Sequence, residues 1–158
     1  MTRLPDLGRR GEGWVVLQVV LLVAVAAAGM LGPSWDGATR IASSLAGLTL
    51  ISAGGVLVVR GSTDLRDSLT PLPHPRDGAR LVETGIYARA RHPIYGGVIL
   101  GAVGWGLLTA SIPALGLAAL TVGFFLLKST REEAWLIERF PDYPAYRRRT
   151  RRFIPWIG

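Results

Sequence analysis

Four apolar runs, Trp14 to Leu31, Ile41 to Val59, Ile94 to Ala110 and Ile112 to about Leu127, constrain this chain more than any other feature. As helix, with about 1.5 Å rise per residue, each covers roughly 24–29 Å, close to the hydrocarbon thickness of a bilayer. Backbone inside hydrocarbon must satisfy its own N–H and C=O groups, which a run of this length does as α-helix. The expected fold is all-α: a polytopic membrane bundle of about four transmembrane helices, over 14–31, 41–59, 94–110 and 112–140, in one domain covering 1–158. The fourth helix outruns its apolar stretch because no breaker intervenes between Lys128 and Phe140, and Pro141 ends it. The third and fourth runs are short and meet at Ser111, so a tilted or buried hairpin is a second arrangement for them.

Composition narrows the chemistry. Apolar residues make up 49% of the chain and its mean hydropathy is +0.34, too apolar for a soluble domain of 158 residues. With no cysteine, disulfides, thiolate zinc sites and cysteine nucleophiles are excluded. His74 and His92 share one loop without an H-E-x-x-H spacing, so no metal site is expected. The net charge of +7 is segregated around the apolar runs, which points to the membrane surface as partner and not to nucleic acid. The basic tail, 141–158, carries Arg147-Arg148-Arg149 and Arg151-Arg152.

Charge also orients the spans. Four crossings leave the N-terminus, the 60–93 loop and the tail on one side, with 3, 6 and 8 basic residues, against Arg40 alone on the other. By the positive-inside rule both termini and that loop are expected in the cytoplasm. Arg3, Arg9 and Arg10 before a run ending in Ala26-Ala27-Ala28 resemble a signal peptide, but the run is long for one and is read as a span. Trp14, Trp35, Trp105 and Trp135 fall near span ends, the place of an interfacial belt. Gly47 and Gly54, and Gly97, Gly101 and Gly104, recur at helical spacing. They serve close helix packing or, as a second reading, a smooth face for a cofactor or an apolar tail.

Two polar clusters flank the last hairpin. Arg91-His92-Pro93-x-Tyr95-Gly96-Gly97 opens the third run, and Arg131-Glu132-Glu133 closes the fourth, so an out-and-back crossing returns both to the same face. Pro93 suits a first helical turn. The free N–H groups and positive dipole end of that helix, beside Arg89, Arg91 and His92, form an anion-binding arrangement; capping and snorkelling are the plainer alternative. Glu132 and Glu133 project about 100° apart, so one binds while the other pairs, and a salt bridge to Lys128 or Arg131 is the plainer reading. The 60–93 loop is long, contains Leu69-Thr70-Pro71-Leu72-Pro73-His74-Pro75, and leads into the first cluster, which favours an ordered, substrate-facing segment.

These residues carry a resemblance. Leu81-Val82-x-Thr84-Gly85-x-Tyr87-x4-Arg91-His92-Pro93-x-Tyr95-x-Gly97, then Glu132-Glu133, then Phe140-x2-Tyr143-x2-Tyr146 and Arg152-Phe153-Ile154-Pro155, resemble the isoprenylcysteine carboxyl methyltransferase and phospholipid methyltransferase superfamily. The resemblance implies S-adenosylmethionine as cofactor, bound at the cytoplasmic side, and an isoprenoid or other lipid-like acceptor. It makes His92, Tyr95, Gly97, Glu132 and Glu133 candidate cofactor contacts, and Arg91 and Glu133 the candidate catalytic pair, with Arg91 holding an anionic group. A related-fold membrane reductase and a non-catalytic binding or assembly protein are the competing readings. The first two helices match nothing distinctive, and some relatives have helices that this chain lacks.

Overall fold

The apolar runs and their polar flanks fold as five helices in a computed structural model that describes residues 5–74, 78 and 80–156. Arg3 and Pro75, weighed above, lie outside the described residues, as do the ends of the expected domain and tail at 1–4 and 157–158. The helices are α1 (Glu12–Leu31), α2 (Ala38–Leu65), α3 (Pro93–Leu108), α4 (Ile112–Arg139) and α5 (Tyr143–Arg149), and no strand is formed among the described residues. The chain is an all-helical membrane bundle. Three helices, α1, α2 and α4, are long and apolar enough to cross a membrane, while α3 is a shorter apolar helix of 16 residues. Only 11% of the apolar window of α1, and of α2, is buried; side chains such as Leu31, 87% exposed, face outward, where lipid is the compatible solvent.

α3 is the central helix, packed on α1, α2 and α4. It runs antiparallel to α2 along a seam of small residues. A Cβ added at Gly47 would stand 2.5 Å from the Gly104 carbonyl oxygen, and one at Gly54 2.5 Å from that of Gly97. Further along, Gly61 lies against Ile94. Lipid tails are as apolar as leucine, so helices in a bilayer associate by close packing, and this seam removes the side chains that would hold α2 and α3 apart. The glycine face of α3 is therefore filled by α2, which corrects the expectation that it offers a cofactor face or, with α2, a groove for an apolar tail. Gly101 departs from the pattern, since nothing lies within 4 Å of a Cβ placed there.

α1 runs antiparallel to α4. The Trp14 and Phe124 rings are 5.8 Å apart at one end, and Ser111 Oγ donates to the Ala28 carbonyl at 2.9 Å at the other. A compact core of Val25, Ala102 and Ala118, flanked by Trp105, joins α1, α3 and α4 at mid-depth. The α3–α4 turn is tight: Ala110 adopts φ +53°, its carbonyl accepts from the Trp35 N–H at 3.0 Å, and Ser111 caps α4 by accepting from the Ala114 N–H at 3.3 Å. The start of α1, the end of α2, the described part of 66–92, the start of α3, the end of α4 and α5 thus share one end of the bundle.

Several expectations need correction. The second helix was expected over 41–59 and runs from Ala38 to Leu65, so the 60–93 segment begins as two polar turns of helix. Asp64, near its end, accepts the Ile86 N–H at 2.7 Å; Gly85, at φ +60°, is required there because a Cβ would overlap the Asp64 carboxylate. The third helix ends at Leu108, not Ala110, and Phe140 caps the fourth instead of extending it. The tail contains α5 and then returns across the start of α3, where the Arg91 and His92 N–H groups donate to the carbonyls of Arg151 and Arg152 at 2.9 and 2.8 Å. Trp14 is no belt residue: it is buried, and its Nε1 donates to the Pro5 carbonyl at 3.2 Å. Trp135 lies under the Arg131 guanidinium, 3.8 Å from ring centroid to Cζ.

Candidate functional site

The two polar clusters, 41 residues apart in sequence, meet at the shared end of the bundle through Glu133. Its carboxylate is 2% exposed. Oε1 accepts from Arg91 Nε at 2.9 Å and from His92 Nε2 at 3.3 Å. Oε2 faces Arg147 Nε at 3.1 Å and Arg152 Nη2 at 3.8 Å without reaching hydrogen-bond geometry with either. An ionised carboxylate only accepts, so the His92 tautomer that fits carries its hydrogen on Nε2. Arg91 is committed on its other side as well: Nη1 donates to the carbonyls of Arg147, at 3.0 Å, and of Thr150. The helical spacing of residues 132 and 133 explains the rest. One turns inward to bind this network; the other turns to a cavity.

That cavity, of about 350 Å³, is bounded by α1 at Gln18, α2 at Ser62 and Leu65, α3 at Ile94, Tyr95 and Val98, and α4 at Lys128, Glu132 and Leu136. Leu69 to Pro73 and Arg80 to Val82, from the segment between α2 and α3, cover one side, and Phe140, Tyr143 and Tyr146 another. The described part of this segment is thus wall, as its position before the first cluster suggested. Glu132 accepts from the Tyr95 hydroxyl at 2.7 Å, and its Oε2 is 3.8 Å from His92 Nδ1. The His92 and Tyr95 rings are stacked, with centroids 5.4 Å apart and planes 1° from parallel.

Of the residues singled out from sequence, Arg91, His92, Tyr95 and Glu132 line the cavity, Glu133 stands behind them, and Gly97 faces α2. The salt bridges anticipated for the glutamate pair go to Arg91 and the tail, while Arg131 pairs with Asp6 and Lys128 with Gln18 and the Pro71 carbonyl. The start of α3 is not an open anion site on its tail side: a Cβ at Gly96 would stand 2.5 Å from the Phe153 carbonyl oxygen. In the basic tail, Arg147 turns to Glu133, Arg149 pairs with Glu83 at 2.6 Å, and Arg152 donates to Thr130 Oγ1 at 3.2 Å.

The buried tyrosines close the site from the tail side. Tyr146 donates to the Tyr87 carbonyl at 2.8 Å, whereas the Tyr143 hydroxyl, though buried, has no hydrogen-bond partner among the described residues. Burial pushes both phenols above their ordinary range, so they stay neutral donors. Gln18 and Lys128 were missed from sequence as site residues. The available signal was an amide inside the apolar run of α1 and an ammonium at the end of that of α4, both unusual at bilayer depth.

A cavity with largely apolar walls, into which both motifs bring polar groups at one end of an apolar helical bundle, is the candidate small-molecule site of this integral membrane protein. The family model for phospholipid methyltransferases matches residues 42–143, and the chain belongs to that family. Among curated proteins it is 30% identical over 154 residues to a nickel-cobalt-cadmium resistance protein, NccN, of Alcaligenes xylosoxydans xylosoxydans, a match covering 95% of this chain and 66% of that one. It is 33% identical over 84 residues to the cobalt-zinc-cadmium resistance protein CzcN of Cupriavidus metallidurans, covering 52% of this chain and 39% of the relative. Over 79 residues it is 39% identical to the protein-S-isoprenylcysteine O-methyltransferase of Schizosaccharomyces pombe, covering 49% and 34%. The chain thus spans from about a third to just under two thirds of the length of these relatives. Among the described residues, no group of three or more His, Cys, Asp or Glu side chains stands close enough to hold a metal ion.

Proposed function

We propose that this protein is an integral membrane methyltransferase that uses S-adenosylmethionine to methylate a lipid-like or isoprenoid acceptor. The carrying observation is the convergence of the two motifs on one cavity at an end of the bundle, with Glu132 and the His92–Tyr95 stack in its wall. The site's contents suit the cofactor. The volume falls within the roughly 300–1,000 Å³ typical of small-molecule sites. The Glu132 carboxylate meets a cationic ligand group, aromatic rings offer flat contact, and the unpartnered Tyr143 hydroxyl has a hydrogen bond to give.

When bound, the cofactor supplies an electrophilic methyl group on a positively charged sulfur. The chain's task is then placement, because holding two reactants in line about 3–3.5 Å apart provides much of the rate. Glu132, Tyr95 and His92 are the groups we assign to holding the cofactor. Arg91 and Glu133, named above as the catalytic pair, act by fixing His92 and the tail; Arg91 also reaches the cavity wall. The 69–73 segment and Tyr143 wall the cavity on two sides. A carboxylate acceptor needs no base; an amine, phenol or thiol must lose a proton, for which His92 and Glu132 are in reach of the cavity. The resistance named for two relatives gives no substrate here. The apolar walls of Leu65, Leu69, Val98 and Leu136 favour an acceptor with an apolar tail.

Calorimetry on the purified chain in detergent tests the reading. Micromolar affinity for S-adenosylmethionine or its demethylated product is expected, about −8 kcal/mol. Glu132→Gln and His92→Ala should each weaken it by about 1.5–3 kcal/mol. No measurable binding by the wild-type chain would refute the assignment.

We further place the site end of the bundle in the cytoplasm, because among the described residues the basic side chains other than Arg40 lie toward that end. An impermeant thiol reagent added to intact cells should label Ser34→Cys and spare Ser68→Cys. The reverse pattern would invert the protein.

A further inference from the structure

Lys128 is a buried cation that makes no ion pair within 4.0 Å among the described residues; Glu132, on the same cavity wall, attracts it only from a helical turn away. It is 1% exposed, yet it lines the cavity. Its ammonium donates to Gln18 Oε1 at 2.5 Å and, at 3.4 Å, to the Pro71 carbonyl, and it stands over the Tyr95 ring, 5.1 Å from the centroid. Both acceptors are neutral. Among the described residues no carboxylate lies within 4.0 Å of it, whereas Glu133 is surrounded by three guanidinium groups and His92. The nearest acidic side chain of the wall, Glu132, is one helical turn further along α4 and engages the Tyr95 hydroxyl. From the other elements the cavity is faced by Arg80, Arg91 and His92, none of them anionic. An ammonium has three donors, and a buried charge in low dielectric is costly unless it is paired.

We propose that Lys128 is the anion-binding end of this cavity and holds a ligand carboxylate, while Glu132 faces the cationic part of the ligand. The two residues, four apart on one helix, make a dipolar wall. Gln18 holds the ammonium in place from α1, which explains an amide within that apolar helix. The inference rests on the function proposed above in one respect: the carboxylate belongs either to the amino-acid part of the methyl donor or to the head of the tailed acceptor.

Calorimetry on the full chain in detergent micelles separates these sources, using two pairs of probes. S-adenosylhomocysteine is compared with 5′-methylthioadenosine, which lacks the amino-acid part, and dodecanoate with its methyl ester at constant surface concentration. Wild-type protein should bind the carboxylate member of one pair at least tenfold more tightly. Lys128→Met should abolish that preference and Lys128→Arg should retain most of it. The pair that loses its preference identifies the source. If wild type binds neither nucleoside but discriminates dodecanoate through Lys128, the methyltransferase reading falls and the anion site stands. The proposal is overturned if wild type shows no preference within either pair, or if Lys128→Met keeps the preference or weakens both members equally. Should Lys128→Met not fold, the wild-type preference together with its retention in Lys128→Arg and loss in Lys128→Gln decides the matter.

Discussion

Replacing Glu133 with alanine is expected to unfold the polar end of the bundle, with a stability loss of about 3–5 kcal/mol. The size follows from what is left behind. Arg91 Nε and His92 Nε2 lose their shared acceptor, and Arg147 and Arg152 lose the charge they face, in a site where the carboxylate is 2% exposed. Removing one member of a buried ion pair strands the other, and here four cationic or polar groups converge on a single carboxylate. The effect should appear as a large drop in Tm in detergent and as early proteolysis of the 140–156 tail, which Arg91 ties down through Thr150 and Arg147. Glu132→Gln offers the contrast, because that side chain lies in the cavity wall and its amide can still accept from Tyr95. It should cost affinity with little change in Tm. A Glu133→Ala protein with wild-type Tm and reduced cofactor affinity would make Glu133 a ligand contact instead of the centre of this network.

The second large effect is expected at the α2–α3 seam. Gly54→Val should destabilise the bundle by at least about 3 kcal/mol, the upper part of the usual range for overpacking, because even its Cβ would stand 2.5 Å from a backbone carbonyl that cannot rotate away. Gly97→Ala should act in the same direction, its Cβ meeting the Gly54 carbonyl at 2.5 Å. Gly101→Ala, in open space on the same helix, is the control; it should be neutral or stabilising by about 0.5–1 kcal/mol through helix propensity. Thermal unfolding of the three variants in one detergent reads all of this. If Gly97→Ala left Tm unchanged and lowered cofactor affinity, the residue would return to the ligand site from which the packing removes it.

Much of this molecule is local enough to be legible in one dimension. Hydropathy run lengths are properties of consecutive residues, so the helical bundle follows from them, and the start of α3 at Pro93 follows from the proline's fit to a first helical turn. The out-and-back crossing of the last two runs put Arg91-His92 and Glu132-Glu133 at the same end, and the 100° offset of the glutamates foretold that they would face different neighbours. What stayed hidden depends on the rotation and depth of one helix against another. Which glutamate turns inward, whether the glycines meet lipid, a ligand or a helix, and that Gln18 reaches Lys128 across 110 residues of chain are set by side-chain fit between elements remote in sequence. The tail is the clearest case: its arginines look alike as a string, yet the turn of α5 sends Arg147 to Glu133 and Arg149 to Glu83. Periodicity and charge determine where each helix lies and which end is polar. The pairing of buried charges and the shape of the cavity arise only when close packing selects one rotation of each helix, because hydrocarbon solvates every apolar face of a helix equally well.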